Sequence, residues 1–148
     1  MSKPLRIGVV GAGSIGIRGA LAHLVVEGVQ ERVVLGAICD TVPGRAAAAA
    51  EKYGAPQSFE DYEAMLAEAD IDLITLGTPI SLHYEQGLQA IEAGKHIHFN
   101  KTMTTTEAEA DDLIAKVAAK GVRLVSSPGQ MLRPHLRQIK RSIEAGAK

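Results

Sequence analysis

The chain has 148 residues, enough for one ordinary domain with a real core, and a single cysteine, Cys39, which excludes an internal disulfide. Its formal net charge of −1, from 16 basic and 17 acidic side chains, and its 3% aromatic content exclude both a bulk field for nucleic acid or anionic membrane and a set of base-stacking platforms. The N-terminus lacks a long apolar stretch with a cleavage site, and no run approaches a membrane span, so the expectation is a soluble, cytoplasmic protein.

Leu5–Val10 is a short β-branched run that reads as a buried strand. It enters Gly11-Ala12-Gly13-Ser14-Ile15-Gly16, a G-x-G-x-x-G turn, and residues 15–26 then keep Ile17, Leu21, Leu24 and Val25 at helical intervals. Strand, glycine turn and helix in that order form a phosphate cradle. Gly11 permits the tight turn, Gly13 lets backbone approach a pyrophosphate, and Gly16 lets helix pack close to strand. The first helical turn, at Ser14 and Ile15, offers unpaired N–H groups and a partial positive charge. The pattern therefore points to a dinucleotide site, against the alternative of a structural turn.

A second strand, Val33–Cys39, delivers Asp40 at its C-terminal end, where the adenosine ribose of a dinucleotide would lie. A carboxylate there accepts from both hydroxyls and repels a 2′-phosphate, favouring NAD over NADP. Arg45 pulls the other way, since a nearby guanidinium neutralises such a phosphate or stacks on adenine. The bland alternative for Asp40 is a solvated strand end. Cys39 reads as a small core residue rather than a nucleophile, because nothing nearby activates it.

Helical patterns follow at Arg45–Tyr53, which contains the alanine run, and at Tyr62–Ala69, where Ser58 and Asp61 have capping-box spacing. The strand Leu73–Leu76 runs into Gly77-Thr78-Pro79 and a helix over His83–Ala93. The strand His96–Phe99 ends at Asn100-Lys101. A helix over Glu107–Lys120, opened by Thr106 and Glu109, precedes a strand over Val122–Ser126 and a last helix from about Pro134 to Ala145. Gly54, Gly94 and Gly121 fall where left-handed helix ends are wanted. This alternation predicts an α/β fold over residues 1–148: a doubly wound, Rossmann-type parallel sheet with helices on both faces. Ligands of such sheets sit beyond the carboxyl ends of the strands, so Thr78, His83, Asn100 and Lys101 are expected on the rim that holds Gly11 and Asp40. His96 and His98 share a strand face but have no carboxylate or cysteine at ligand spacing, and no metal site is expected. His23 and His135 have no visible partner.

These pieces together resemble the N-terminal dinucleotide-binding domain of the glucose-fructose oxidoreductase, inositol dehydrogenase and rhizopine-catabolism family. The matching elements are G-A-G-S-I-G at 11–16, Cys39-Asp40, Thr78-Pro79, A-G-K-H ending in Lys101, Glu107-Ala108 and the 142–146 segment. The resemblance implies a NAD(P)-dependent oxidoreductase that moves a hydride between nicotinamide and a sugar, inositol or related polyol. It makes Lys101 the catalytic residue, bonded to the substrate hydroxyl or carbonyl. It adds Thr78, Pro79 and Asn100 to the cofactor contacts, and leaves His83 either lining the nicotinamide side or packing behind it. The family's usual Glu-Lys-Pro is here Asn100-Lys101-Thr102; without the proline a trans Lys101–Thr102 bond is expected, since a cis bond before Thr costs roughly 2.5–4 kcal/mol. Substrate contacts of the 127–134 segment do not carry over. Family enzymes continue into a second α/β domain holding the substrate pocket and the oligomer interface. That domain is absent from this chain, so the resemblance implies a homo-oligomer only at full length. The remaining alternatives are a non-catalytic NAD(H)-binding module, a structural Rossmann-like domain, and for Lys101 a solvated loop lysine.

Overall fold

The computed structural model describes residues 3–127 and 133–146. Six parallel strands, β1 (Leu5–Val10), β2 (Val33–Cys39), β3 (Gln57–Phe59), β4 (Leu73–Leu76), β5 (His96–Phe99) and β6 (Leu124–Ser126), form one sheet in the order β3-β2-β1-β4-β5-β6. The helices are α1 (residues 14–24), α2 (Arg45–Tyr53), α3 (Tyr62–Glu68), α4 (His83–Glu92), α5 (Glu107–Lys120) and α6 (Pro134–Glu144). Strand order reverses between β1 and β4, so the loops leaving their carboxyl ends part and open a crevice there. The doubly wound sheet expected from the alternating pattern is the fold observed.

Successive strand residues feed opposite faces. Val9 and Ile38 join Ala20, Leu21, Ala46, Ala49 and Ala50 on the side covered by α1 and α2. Val10 and Cys39 join Met65, Ala90, Ile91 and Leu113 on the side covered by α3, α4 and α5. The alanine run therefore serves packing: Ala46, Ala49 and Ala50 recur at helical spacing and seat α2 close to the sheet.

Four details differ from the sequence reading. The edge strand β3 was not expected. Ser58 lies inside it, and Asp61 caps α3 by accepting from the Ala64 N–H at 2.7 Å. The strand expected from Val122 begins at Leu124. Helix α1 changes pitch: Ser14–Gly16 and Ala22–Leu24 flank a π-helical stretch, Ile17–Leu21, and Val25 and Val26 lie beyond it, exposed. Thr106 and Glu109 do form the reciprocal box, and Gly54 and Gly121 end their helices in left-handed backbone. Residues 128–132 of the 127–134 segment lie outside the described residues. Val125 on β6 and Ile139 and Ile143 on α6 are exposed apolar residues.

At the amino end of the sheet, opposite the crevice, Arg6 clamps β1 to β4. Its backbone N–H, Nε and Nη2 donate to the Asp72 carboxylate at 2.9, 3.0 and 2.6 Å, and Asp70 adds a second ion pair. The guanidinium holds the Asp72 carboxyl at about 2. A carboxylate depressed in the folded state stabilises above its unfolded value, ~3.9, and that stability is lost as pH falls through the folded one. The urea midpoint is therefore expected to drop on acidification between about pH 4 and pH 2. Asp72→Asn should flatten this part of the profile; an unchanged acid limb would show that the clamp adds nothing.

Candidate functional site

The glycine turn is a backbone-to-backbone junction. Gly11 has a φ of +89°, and its N–H donates to the Cys39 carbonyl at 2.8 Å. A Cβ on Gly16 would stand 1.7 Å from the Gly11 carbonyl oxygen, so no other residue fits without moving α1 off β1. Gly77, which follows β4, closes the same junction: its own Cβ would meet the Gly16 backbone at 3.2 Å. Gly13 is the opposite case. A Cβ there meets nothing within 4 Å, because the residue faces open space in front of the turn. Ser14 and Ile15 follow, exposed, at the start of α1, and the Arg18 guanidinium donates to the Ser14 hydroxyl. Free N–H groups, a helix end and a cation thus face one open approach, which suits phosphate.

Asp40 stands beside this approach with only 7% of its surface exposed. One carboxylate oxygen accepts from the Ala12 N–H at 2.8 Å and the other from the Val42 N–H at 2.9 Å. Arg45 pairs with both oxygens at 3.4 Å. Asp40 follows β2, where the sequence reading puts it, and its carboxylate also ties the glycine turn to the loop after β2, which that reading misses. The two short backbone bonds leave one lone-pair site on each oxygen, and the long 3.4 Å contact with Arg45 occupies these.

Between the ends of β1, β2 and β4 lies a cleft of about 320 Å³. Gly11, Gly13, Asp40, Arg45, Thr78 and Pro79 line it, so six of the sequence-predicted residues meet in one place. Val42 and Leu82, both exposed, add apolar walls. Gln86 forms part of the floor; its side-chain oxygen accepts from the Thr78 hydroxyl at 2.6 Å, while its backbone carbonyl accepts from Tyr62 at 2.9 Å. Burial pushes the Tyr62 hydroxyl well above the ordinary tyrosine range, so it stays a neutral donor. Leu82, Gln86, Gly77 and Tyr62 were not read from the sequence. The usable signal was the four-residue step from Leu82 to Gln86, which puts both on one helix face below Thr78-Pro79.

The other predicted residues do not line this cleft. Asn100 follows β5, and its amide nitrogen lies over α1, 2.5 Å from where a Cβ on Gly19 would be. Lys101 is exposed on the same rim, and the Lys101–Thr102 bond is trans, as expected. His83 is buried behind the cleft wall, bonded to the backbone of two loops rather than exposed toward a ligand. His98, its imidazole pushed down by burial, pairs with Ser127 at 2.8 Å, and His96 accepts from the Arg123 N–H at 3.0 Å. Cys39 is buried, and burial pushes its thiol up to about 11.

The fold and the glycine junction define a dinucleotide-binding domain of the Rossmann class. The chain belongs to the oxidoreductase family with an NAD-binding Rossmann fold, whose pattern it matches over residues 5–127. Among curated relatives, the D-glucoside 3-dehydrogenase of Escherichia coli K12 is 33% identical over 76% of this chain and 31% of its own length. Among solved structures, the WlbA dehydrogenase of Bordetella pertussis, in complex with NADH and UDP-GlcNAcA, superposes with a TM-score of 0.85 at 32% identity, over 97% of this chain and 43% of its own. The Y186F mutant of KijD10, a 3-ketoreductase of Actinomadura kijaniata in complex with TDP-benzene and NADP, gives 0.87 at 30% identity, over 97% and 43%. The chain thus spans less than half the length of these relatives. Among the described residues, no helix is long and apolar enough to cross a membrane.

Proposed function

We propose that this chain is the NAD(H)-binding part of an oxidoreductase that moves a hydride to or from a sugar, inositol or related polyol. The observation that carries the reading is the union of the glycine turn with Asp40 through the 2.8 Å bond from the Ala12 N–H. That bond sets a phosphate approach and a ribose acceptor side by side. Gly13 leaves room for phosphate, and Val42 and Leu82 flank the space beyond Asp40 as apolar walls for a flat adenine. Asp40 disfavours the 2′-phosphate of NADP, and the pairing of Arg45 with Asp40 at 3.4 Å draws part of its charge away from offsetting that. When bound, the nicotinamide accepts or supplies the hydride.

Lys101 supplies the remaining chemistry. An ammonium on the rim after β5 hydrogen-bonds the reacting hydroxyl or carbonyl and stabilises negative charge developing on its oxygen. Substrate selection and homo-oligomer assembly fall to the rest of the length that the relatives possess. One buried thiol and no disulfide suit the cytoplasm, and the near-neutral charge suits a small-molecule partner rather than nucleic acid or membrane.

Titrating the chain with NADH and NADPH tests the cofactor assignment. NADH should bind at least about tenfold more tightly, a difference of ~1.4 kcal/mol. Equal affinities would remove the NAD preference, and no binding of either would remove the reading. In the longer enzyme, Lys101→Met should cost about 10²–10⁴ in turnover with cofactor affinity almost unchanged. Normal turnover would make Lys101 a solvated loop residue and favour a binding module without catalysis.

A further inference from the structure

His83 is 1% exposed and leans on Phe99, with ring centroids 5.4 Å apart. Its Nε2 lies 3.0 Å from the carbonyl oxygen of Thr78, and its Nδ1 lies 2.8 Å from that of Thr102. Thr78 lines the cleft, and Thr102 directly follows Lys101. Among the described residues, no other side chain hydrogen-bonds both loops. Both partners are acceptors, so the imidazole is the donor to each carbonyl it holds. A ring with one N–H serves one of them at a time, and a ring with two serves both. In a ring with one N–H the two carbonyls share that donor, and a shift of Thr78 changes what remains for Thr102. Packing against Phe99 keeps the ring from following either loop away.

We infer that His83 is a positioning residue: it couples filling of the cleft to the placement of Lys101, through the Thr78 carbonyl, the imidazole and the Thr102 carbonyl. The inference rests on the cofactor reading above. It gives His83 a place in the reaction without contact with cofactor or substrate. Lys101 is set in register when the cleft is occupied.

The test is a titration of the nitrogen-15-labelled chain with ADP, followed by the backbone amide signals. ADP carries no nicotinamide, so it fills the cleft and the glycine turn without reaching the Lys101 rim. In the wild type, the amides of Lys101, Thr102 and Met103 should shift with the same half-saturation as those of Gly13–Gly16. His83→Phe keeps a ring against Phe99 but no donor; at saturating ADP its turn amides should shift while those of 101–103 lose most of their response. His83→Gln, which retains an N–H donor, should recover part of it. Amides 101–103 that stay still in the wild type, or move as fully in His83→Phe, would overturn the coupling. Wild-type amides 101–103 that stay still overturn the coupling even where a variant folds poorly, and the His83→Gln arm separates the imidazole from the contact of Asn100 with α1. A glycine turn that ignores ADP would overturn the cofactor reading, and the coupling with it.

Discussion

Gly16→Ala is expected to destabilise the chain by ~2–4 kcal/mol and abolish NADH binding, whereas Gly13→Ala should keep its stability and lose affinity alone. The two glycines sit in one motif but face different things. At Gly16 the added methyl would lie 1.7 Å from the Gly11 carbonyl oxygen, which is backbone and cannot rotate aside. The helix must then retreat from the strand, and the junction with Gly77 opens. At Gly13 the backbone is extended, with φ −77° and ψ −169°, and the methyl meets no protein atom. Its stability should stay within about 0.5 kcal/mol of wild type, as for an ordinary surface change. On the proposed cofactor reading the methyl instead occupies the space through which phosphate would reach the turn, and affinity should fall about tenfold or more, ~1.4 kcal/mol. Thermal melts with and without NADH separate the two effects. Wild-type affinity in Gly13→Ala would place the phosphates elsewhere.

Asp40→Ala should be the more damaging change at the ribose end, because it removes more than a ligand contact. The Ala12 N–H is buried and loses its acceptor, at a cost of ~1–3 kcal/mol to the folded chain. The loop after β2 loses its bond from Val42 as well, so turn and loop loosen together. The melting temperature and NADH affinity should therefore fall together. Arg45, released from its partner, becomes available to a 2′-phosphate, so NADPH should lose less affinity than NADH. Adding Arg45→Ala should remove that relative gain. Unchanged discrimination between the two cofactors in Asp40→Ala would show that the carboxylate serves the fold alone.

Much of this architecture could be read from patterns that depend on local chemistry. Four of the six strands, Leu5–Val10, Val33–Cys39, Leu73–Leu76 and His96–Phe99, have the expected limits, because β-branched runs bounded by glycine or charge leave little freedom. The edge strand β3 escaped notice because Gln57, Ser58 and Phe59 neither alternate nor form an apolar run; pairing with Ala37, Ile38 and Cys39 makes them a strand. Ser58 has the Ser-x-x-Asp spacing of a cap, but its backbone is committed to the sheet. The π-helical stretch of α1 leaves the positions of Ile17 and Leu21 compatible with an ordinary helix, so the pattern carries no trace of it. At the site, the glycines and Asp40 were legible because each answers a backbone or charge requirement at a fixed place in the motif. His83 and Asp40 have part of their bonding hidden, since each reaches one partner distant in sequence, Thr102 and Ala12. Gln86 and Tyr62 carry no motif, and only the packing of α3 against α4 brings them under Thr78.

The burial of Cys39 has a practical side. Its sulfur is sealed in the core, and a thiol held near 11 is almost wholly protonated at neutral pH, so maleimide dyes should pass it by. The natural chain can therefore be treated as free of reactive thiols without removing a core residue. A cysteine introduced at exposed Val42 or Leu82, on the lips of the cleft, would then be the single labelling point. On the proposed cofactor reading, a fluorophore there would sit where the nucleotide is expected to enter, its brightness expected to track occupancy in real time. The domain would then serve as the recognition half of an optical sensor.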